Sequence, residues 1–207
     1  MNSSLKKIAK NLILGDKILI PKDMEFLISQ ITPPEKVKDL IDSLRPYKTN
    51  LPLIRLGGSK DGGYLIPDDL DGIKACFSPG VGPVSKFELD CSKKGIDIHL
   101  ADHSVEKPHL ENLNSQYTFV KNFIGAIDNE TTLTMDNWVK SNDLSDEDDL
   151  LLQMDIEGGE YYSFLNMSTK LLKQTRISAV EFHFLDRLRN QDFFNMAKVI
   201  FDKILTT

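Results

Sequence analysis

The chain has 207 residues, 41% of them hydrophobic and 27% charged, with a formal net charge of −6 at pH 7. That is enough chain to bury the core of one α/β domain with an appendage. The acidic balance comes without a basic stripe and so argues against a nucleic-acid backbone as main partner. No stretch approaches the ~18 uninterrupted apolar residues of a membrane span. The N-terminal apolar run is broken by Asn11, Gly15 and Asp16 and lacks a signal-peptide core, so the expected location is the cytoplasm. Cys76 and Cys91 form no C-x-x-C pair and read as small buried apolar residues, not as a disulfide or a zinc site.

Residues 1–50 read as a helical cap or extension. Leu5, Ile8, Ala9 and Leu12 fall at helical spacing, and a second run (Met24, Phe26, Leu27, Ile31) ends at Pro33-Pro34. Glu35 to Leu44 predicts a short amphipathic helix before Pro46. Nothing in this segment carries chemistry, and packing or oligomerisation is its expected role. Residues 51–207 form the main domain. It opens with LPLIRLGGSKDGGYLIP, two strand-like runs around a glycine-rich stretch. That pattern is either a plain β-hairpin with a mobile tip or a flap over the ligand end of a sheet, with Arg55, Asp61 and Tyr64 facing it.

The stretch 74–104 is the centre of the main domain. An apolar run, Ala75 to Phe77, stops at Gly80-Val81-Gly82; a helix with Val84, Phe87, Leu89 and Cys91 comes next; Gly95 ends it; and Ile96, Ile98 and Leu100 lead into Asp102. A strand, glycine turn, helix and strand ending in a carboxylate is the ~30-residue unit that binds nucleosides in doubly wound sheets. Glycines let a ligand lie on bare backbone at a helix N-terminus, and the carboxylate accepts hydrogen bonds from ribose hydroxyls. A glycine turn closing any βα unit would read the same way, since the third glycine of the fingerprint is missing.

Lys107 to Asn114 then predicts a short helix, Tyr117 to Phe123 a third strand, and 131–142 a strand-like segment and a helix anchored by Trp138. The acidic run Asp143 to Asp149 is a solvated loop without the glycine of a calcium loop. Leu150 to Met154 is apolar apart from Gln153, as in a strand buried on both faces. It delivers Asp155, Glu157, Gly158, Gly159 and Glu160 to its C-terminal end, where open α/β sheets bind ligands. A helix to about Leu172, a strand over 177–184 carrying Glu181 and His183, and a helix over 190–205 complete the chain. Strand–helix alternation from residue 74 predicts an α/β fold with a doubly wound, mostly parallel sheet.

Taken together, DGGY, FSPGVG, the strand-end Asp102, MDIEGGE and VEFH resemble the FkbM family of S-adenosylmethionine-dependent methyltransferases over roughly residues 53–187. MDIEGGE is similar to that family's K-[IL]-D-[VI]-E-G-x-E signature, with Met154 just before the Asp. The resemblance implies a Rossmann-like methyltransferase that methylates a hydroxyl on a sugar or natural product. Carried over by position, Gly80 and Gly82 approach the methionine moiety of the cofactor and Asp102 takes the ribose hydroxyls. Asp155 sits beside the sulfonium and the acceptor. Glu157 and Glu160 shape the site mouth, with Tyr64 and Glu181. Ser78 and Val84 depart from the first motif, which has an acidic residue and a glycine at those places. The family fold also continues through two further strands, so the strand at 177–184 is expected to be an uncovered edge unless a second copy or the N-terminal segment covers it.

A sugar hydroxyl is a poor nucleophile and needs a base or a metal. His183 is the candidate base, because its unperturbed pKa lies near working pH and its strand points at the rim that holds Asp155; the plainer reading is a strand-end histidine bonded to a neighbouring carboxylate. Alternatively, Asp155, Glu157, Glu181 and His183 would suit Mg²⁺ or Mn²⁺. His99, His103 and His109 read as structural or exposed, with flanking the adenosine as the alternative for His103, directly after Asp102. Two rival functions remain: an NAD-dependent oxidoreductase, which also uses G-x-G with a distal Asp, and a non-catalytic nucleoside-binding or assembly module.

Overall fold

The structure is a computed structural model that describes residues 30–81, 85–108, 110 and 117–207, with the backbone of Ile13–Leu14 and Lys17–Ile18. The chain divides into two compact units, Met1–Pro46 with Phe184–Leu205, and Tyr47–His183 with Thr206–Thr207.

In the first unit, β1 (Ile13–Leu14) and β2 (Lys17–Ile18) pair antiparallel. Helix α1 (Pro34–Ser43) begins with a proline, whose missing N–H costs nothing there, and has Glu35 in its first turn against the positive end of the dipole. The expected helices upstream lie outside the described residues. The backbone of residues 30–32 is tied to 189–191, with Thr32 N–H donating to Arg189 O (2.8 Å) and Gln191 N–H to Gln30 O (2.9 Å).

The second unit carries the sheet. The hairpin β3 (Leu53–Leu56) and β4 (Tyr64–Pro67) pairs antiparallel, as its glycine-rich turn requires. The sheet itself has five parallel strands: β5 (Ile73–Pro79), β6 (Asp97–Ala101), β7 (Tyr117–Val120), β10 (Asp149–Met154) and β11 (Thr175–Val180). Their order in space is β11-β10-β5-β6-β7. Between them lie α2 (Lys86–Lys93), the short parallel pair β8 (Phe123–Ile124) and β9 (Thr132–Leu133), and α3 (Met135–Lys140). Helices α4 (Glu160–Asn166) and α5 (Thr169–Gln174) come after β10. This is the α/β architecture with a parallel sheet that the alternation predicts, consistent with a Rossmann-like fold. Among the described residues no helix is long and apolar enough to cross a membrane.

Both faces of the sheet are packed. Cys76, Ile98, Leu100 and Leu151 join Phe87 and Cys91 of α2 and Leu56 and Ile66 of the hairpin in one apolar cluster. Phe77 stacks on His99 at 4.6 Å and meets the edge of Trp138 at 4.9 Å, so Trp138 is the core anchor that the sequence predicts. Cys76 and Cys91 are buried free thiols.

Four element boundaries differ from the sequence reading. The helix expected from 160 to about 172 is two helices, because Ser168 caps α5 by accepting the Leu171 N–H while its own N–H goes to Asp136 Oδ2 (2.9 Å). The strand at 177–184 stops at Val180, and Phe184, in the left-handed region with φ +60°, opens a 3-10 turn (Leu185–Arg189) before α6 (Gln191–Thr206). The third strand ends at Val120, and Lys107–Pro108 are not helical; most of the helix expected there lies outside the described residues.

Candidate functional site

The chain lays down β5, then steps outward through β6 and β7, then returns to the other side of β5 for β10 and β11. The carboxyl ends of β5 and β10 therefore flank the point where the winding reverses, which is where a crevice opens in such sheets. At the end of β5, Gly80 has φ +88° and donates its N–H to Ala101 O (3.0 Å). A Cβ at that position would lie 2.0 Å from the Asp155 carbonyl oxygen. Glycine is thus required here for close approach of the two strand ends, and Gly80 also lines the crevice. Gly82 lies outside the described residues, as do Val84 and His109.

Asp102 stands at the end of β6. Its Oδ2 accepts the Val81 N–H (3.0 Å), and its Oδ1 accepts the N–H and hydroxyl of Ser104 (2.7 and 2.6 Å). These three bonds fix the carboxylate against the wall of a cavity of about 790 Å³, whose lining includes Gly80, Asp102 and Asp155. Its apolar part is Val81, Val105, Phe123, Ile124 and Ile156. The volume falls in the range of about 300–1,000 Å³ typical of small-molecule and cofactor sites. His103 stands behind this wall, its ring 4.9 Å from that of Phe123 and its Nδ1 3.1 Å from Lys121 O.

A second cavity, about 410 Å³, shares Gly80, Asp155 and Asp61 with the first. The hairpin tip walls it through Gly57, Ser59, Lys60 and Gly62, with Tyr64 beside them and the start of α2 opposite. The hairpin tip borders a cavity at the carboxyl end of the sheet, the position that both readings of the hairpin concern. Asp61 and Tyr64 face the crevice, whereas Arg55 is turned to the Gly63 carbonyl (2.7 Å).

The MDIEGGE loop separates its acidic residues sharply. Glu157 has φ +56° and a side chain that is 85% exposed. Glu160, expected at the mouth, is fully buried instead: as the first residue of α4 it turns back, accepting the Ile156 N–H (2.9 Å) and lying 3.0 Å from His183 Nδ1 through Oε1. Among the described residues its Oε2 has no hydrogen-bond partner. His183 Nε2 then faces Asp155 Oδ1 at 3.6 Å and Glu157 Oε2 at 3.5 Å, and the Tyr161 hydroxyl donates to the His183 carbonyl (2.7 Å). Glu181 is exposed, and its carboxylate gathers with those of Asp61 and Asp155 within 4.8 Å.

The electrostatics reflect this crowding. Burial raises the Asp155 pKa, and the charges of Glu181, Glu157 and Asp61 add to it against the opposing effect of His183. For His183 burial works against the charged form, but the Glu160 hydrogen bond and the charges of Glu160, Glu157 and Asp155 outweigh it and raise the pKa. Burial pushes the Tyr64 phenol up to about 12.

Three buried polar residues beside the second cavity escape a motif-based reading. Ser78 Oγ lies 2.5 Å from both Glu88 Oε1 and Gln153 Oε1, all three side chains being buried. One hydroxyl hydrogen cannot serve two acceptors. Burial raises the Glu88 pKa and so favours its acid form, in which Glu88 donates to Ser78 and Ser78 to Gln153. Gln153 Nε2 then reaches the Tyr64 hydroxyl (3.5 Å), which reaches Asp155 Oδ2 (3.5 Å). A polar chain thus runs from Glu88 to the crevice, and an acidic group stands beside Ser78 after all, supplied by α2. The signal that could have found them is a polar residue in each of three apolar surroundings. No family model, no curated protein and no solved structure matches the chain.

Proposed function

We propose that the chain is an S-adenosylmethionine-dependent methyltransferase acting on a hydroxyl of a small-molecule acceptor, a sugar or glycoconjugate. The observation that carries the reading is the cavity at the reversal of the sheet, with Gly80, Asp102 and Asp155 on one lining. These residues fit a nucleoside with a cationic tail. Asp102 Oδ2 holds one backbone N–H and keeps lone-pair capacity for a ribose hydroxyl, and the apolar wall offers a surface for a base.

When bound, the cofactor supplies a methyl group on a positively charged sulfur, and the transfer is a direct displacement by the acceptor oxygen. The chain's task is alignment and exclusion of water. Asp155, between the two cavities, orients the acceptor hydroxyl, and the hairpin tip screens the smaller cavity from solvent. His183 is the base for the hydroxyl proton, its Nε2 opening on the same rim as Asp155 Oδ1 (3.6 Å), while Glu160 holds Nδ1 and so fixes the ring. The carboxylates of Asp61, Asp155, Glu157 and Glu181 favour a sulfonium over the neutral thioether left after transfer.

Calorimetric titration tests the reading. Adenosylmethionine is expected to bind, with affinity lost in Asp102→Ala. Binding of NAD in its place would establish the oxidoreductase, and binding of neither would leave a non-catalytic module.

A further inference from the structure

Three ligand-type atoms on two loops, Asp155 Oδ1, Glu157 Oε2 and His183 Nε2, stand with the nitrogen 3.6 and 3.5 Å from the two oxygens. These separations are too long for good hydrogen bonds. They fall at the upper end of the spacing of roughly 2.8–3.6 Å between donors that each lie about 2.0–2.2 Å from one shared ion at angles of about 90–109°. The imidazole is already set for that use. Its Nδ1 is held by Glu160, the arrangement in which a carboxylate fixes the tautomer of a metal-ligating histidine and presents Nε2.

The second observation is the state of Glu160. Its side chain is fully buried, and among the described residues Oε2 finds no donor. Among the described residues, the only cationic side chain within ion-pair distance of Asp155, Glu157 or Glu160 is His183. A buried carboxylate with an unpartnered oxygen is costly, and one imidazole against three carboxylates leaves negative charge uncompensated.

We infer that Asp155, Glu157 and His183 bind a divalent cation of the Mn²⁺ class, with Glu160 as the positioning residue behind the imidazole. Mixed carboxylate and imidazole donors suit such an ion, and the exposure of Glu157 leaves room for water or an acceptor hydroxyl as further ligands. The cation takes the position between Nε2 and the two carboxylate oxygens that a proton on Nε2 otherwise holds. An acceptor hydroxyl coordinated there is made more acidic by the ion, so that the ion takes over activation from the imidazole. Cation binding depends on these side chains alone and does not require the methyl-transfer reading.

Mn²⁺ alone, titrated into the chelator-treated chain and followed by the electron paramagnetic resonance of the free ion, tests it without any nucleoside. One saturable ion per chain is expected, with nitrogen hyperfine coupling from the imidazole that disappears in His183→Gln. Glu157→Gln, at an exposed position that leaves the fold intact, weakens binding at least tenfold. Glu160→Gln weakens it about 10–100-fold, the effect of losing an outer-shell partner. Absence of saturable binding at millimolar Mn²⁺, or binding without nitrogen coupling, overturns the proposal. So does binding that Glu181→Gln abolishes and Glu157→Gln leaves unchanged, which would move the ion to the neighbouring carboxylate cluster.

Discussion

Replacing Gly80 by alanine tests whether the two strand ends meet as closely as the structure requires. A Cβ there lies 2.0 Å from Asp155 O and 2.9 Å from Ile156 Cγ2, whereas real Cβ contacts stay beyond 3.0 Å. The ends of β5 and β10 must therefore part by at least 1 Å, the difference between 3.0 and 2.0. Gly95 provides the control, since it too is left-handed (φ +81°) but has nothing within 4 Å of its Cβ position. Gly95→Ala carries only the left-handed penalty of about 1–2 kcal/mol, partly offset by about 0.4–1 kcal/mol from a stiffer unfolded chain. Gly80→Ala adds overpacking of about 1–3 kcal/mol, for a total of about 1–5 kcal/mol. At about 2–4 °C per kcal/mol for a chain of this size, the control melts a few degrees low and Gly80→Ala about 2–12 °C lower still in circular dichroism. Because Asp155 moves with its carbonyl, transfer activity falls by about 100-fold under the proposed function, the usual penalty for a 1 Å misplacement. Equal melting temperatures for the two variants would refute the close approach.

Glu88→Gln keeps the hydrogen bonds of the protonated acid and removes its titration. Because the native pKa is raised above the ordinary 4.5, the native chain binds more protons than the unfolded one just above that pH. Wild-type stability is therefore fully present below pH 4.5 and declines as pH rises through the raised value, while the variant lacks this decline. Urea midpoints for the two proteins that coincide at pH 4 and diverge at pH 7.5 are the expected result; parallel profiles would show Glu88 ionised in the native state. Tyr64→Phe removes a hydroxyl whose two bonds are both 3.5 Å long, so it costs less than about 1 kcal/mol of stability. Under the proposed function it lowers kcat through Asp155, which steady-state assays would detect. Trp138→Ala opens the core beside Phe77 and costs about 3–5 kcal/mol by denaturant titration. Trp138→Phe costs clearly less, because it keeps an aromatic ring and removes an indole N–H that has no partner among the described residues; equal losses would show that the ring is not what the site packs against.

Periodicity alone placed the five strands of the sheet, the helices α1 and α6, Trp138 in the core, and Asp102 and Asp155 at strand ends, because strand and helix periods are local and a parallel strand buried on both faces reads as an apolar run. Local pattern could not separate Glu157 from Glu160. Three residues apart in one motif, they end up 85% exposed and fully buried because the loop turns through left-handed Glu157 and Gly158 before α4 begins. Nor could it join Ser78, Glu88 and Gln153, which come from β5, α2 and β10 and meet only when those elements stack. The requirement at Gly80 likewise comes from a carbonyl 75 residues away in the chain. What the sequence by itself determined was which elements form and which residues stand at their ends. Which of those residues share a proton, face a cavity or are shut away was decided by tertiary structure, because such contacts depend on distances between chain segments that no local spacing encodes.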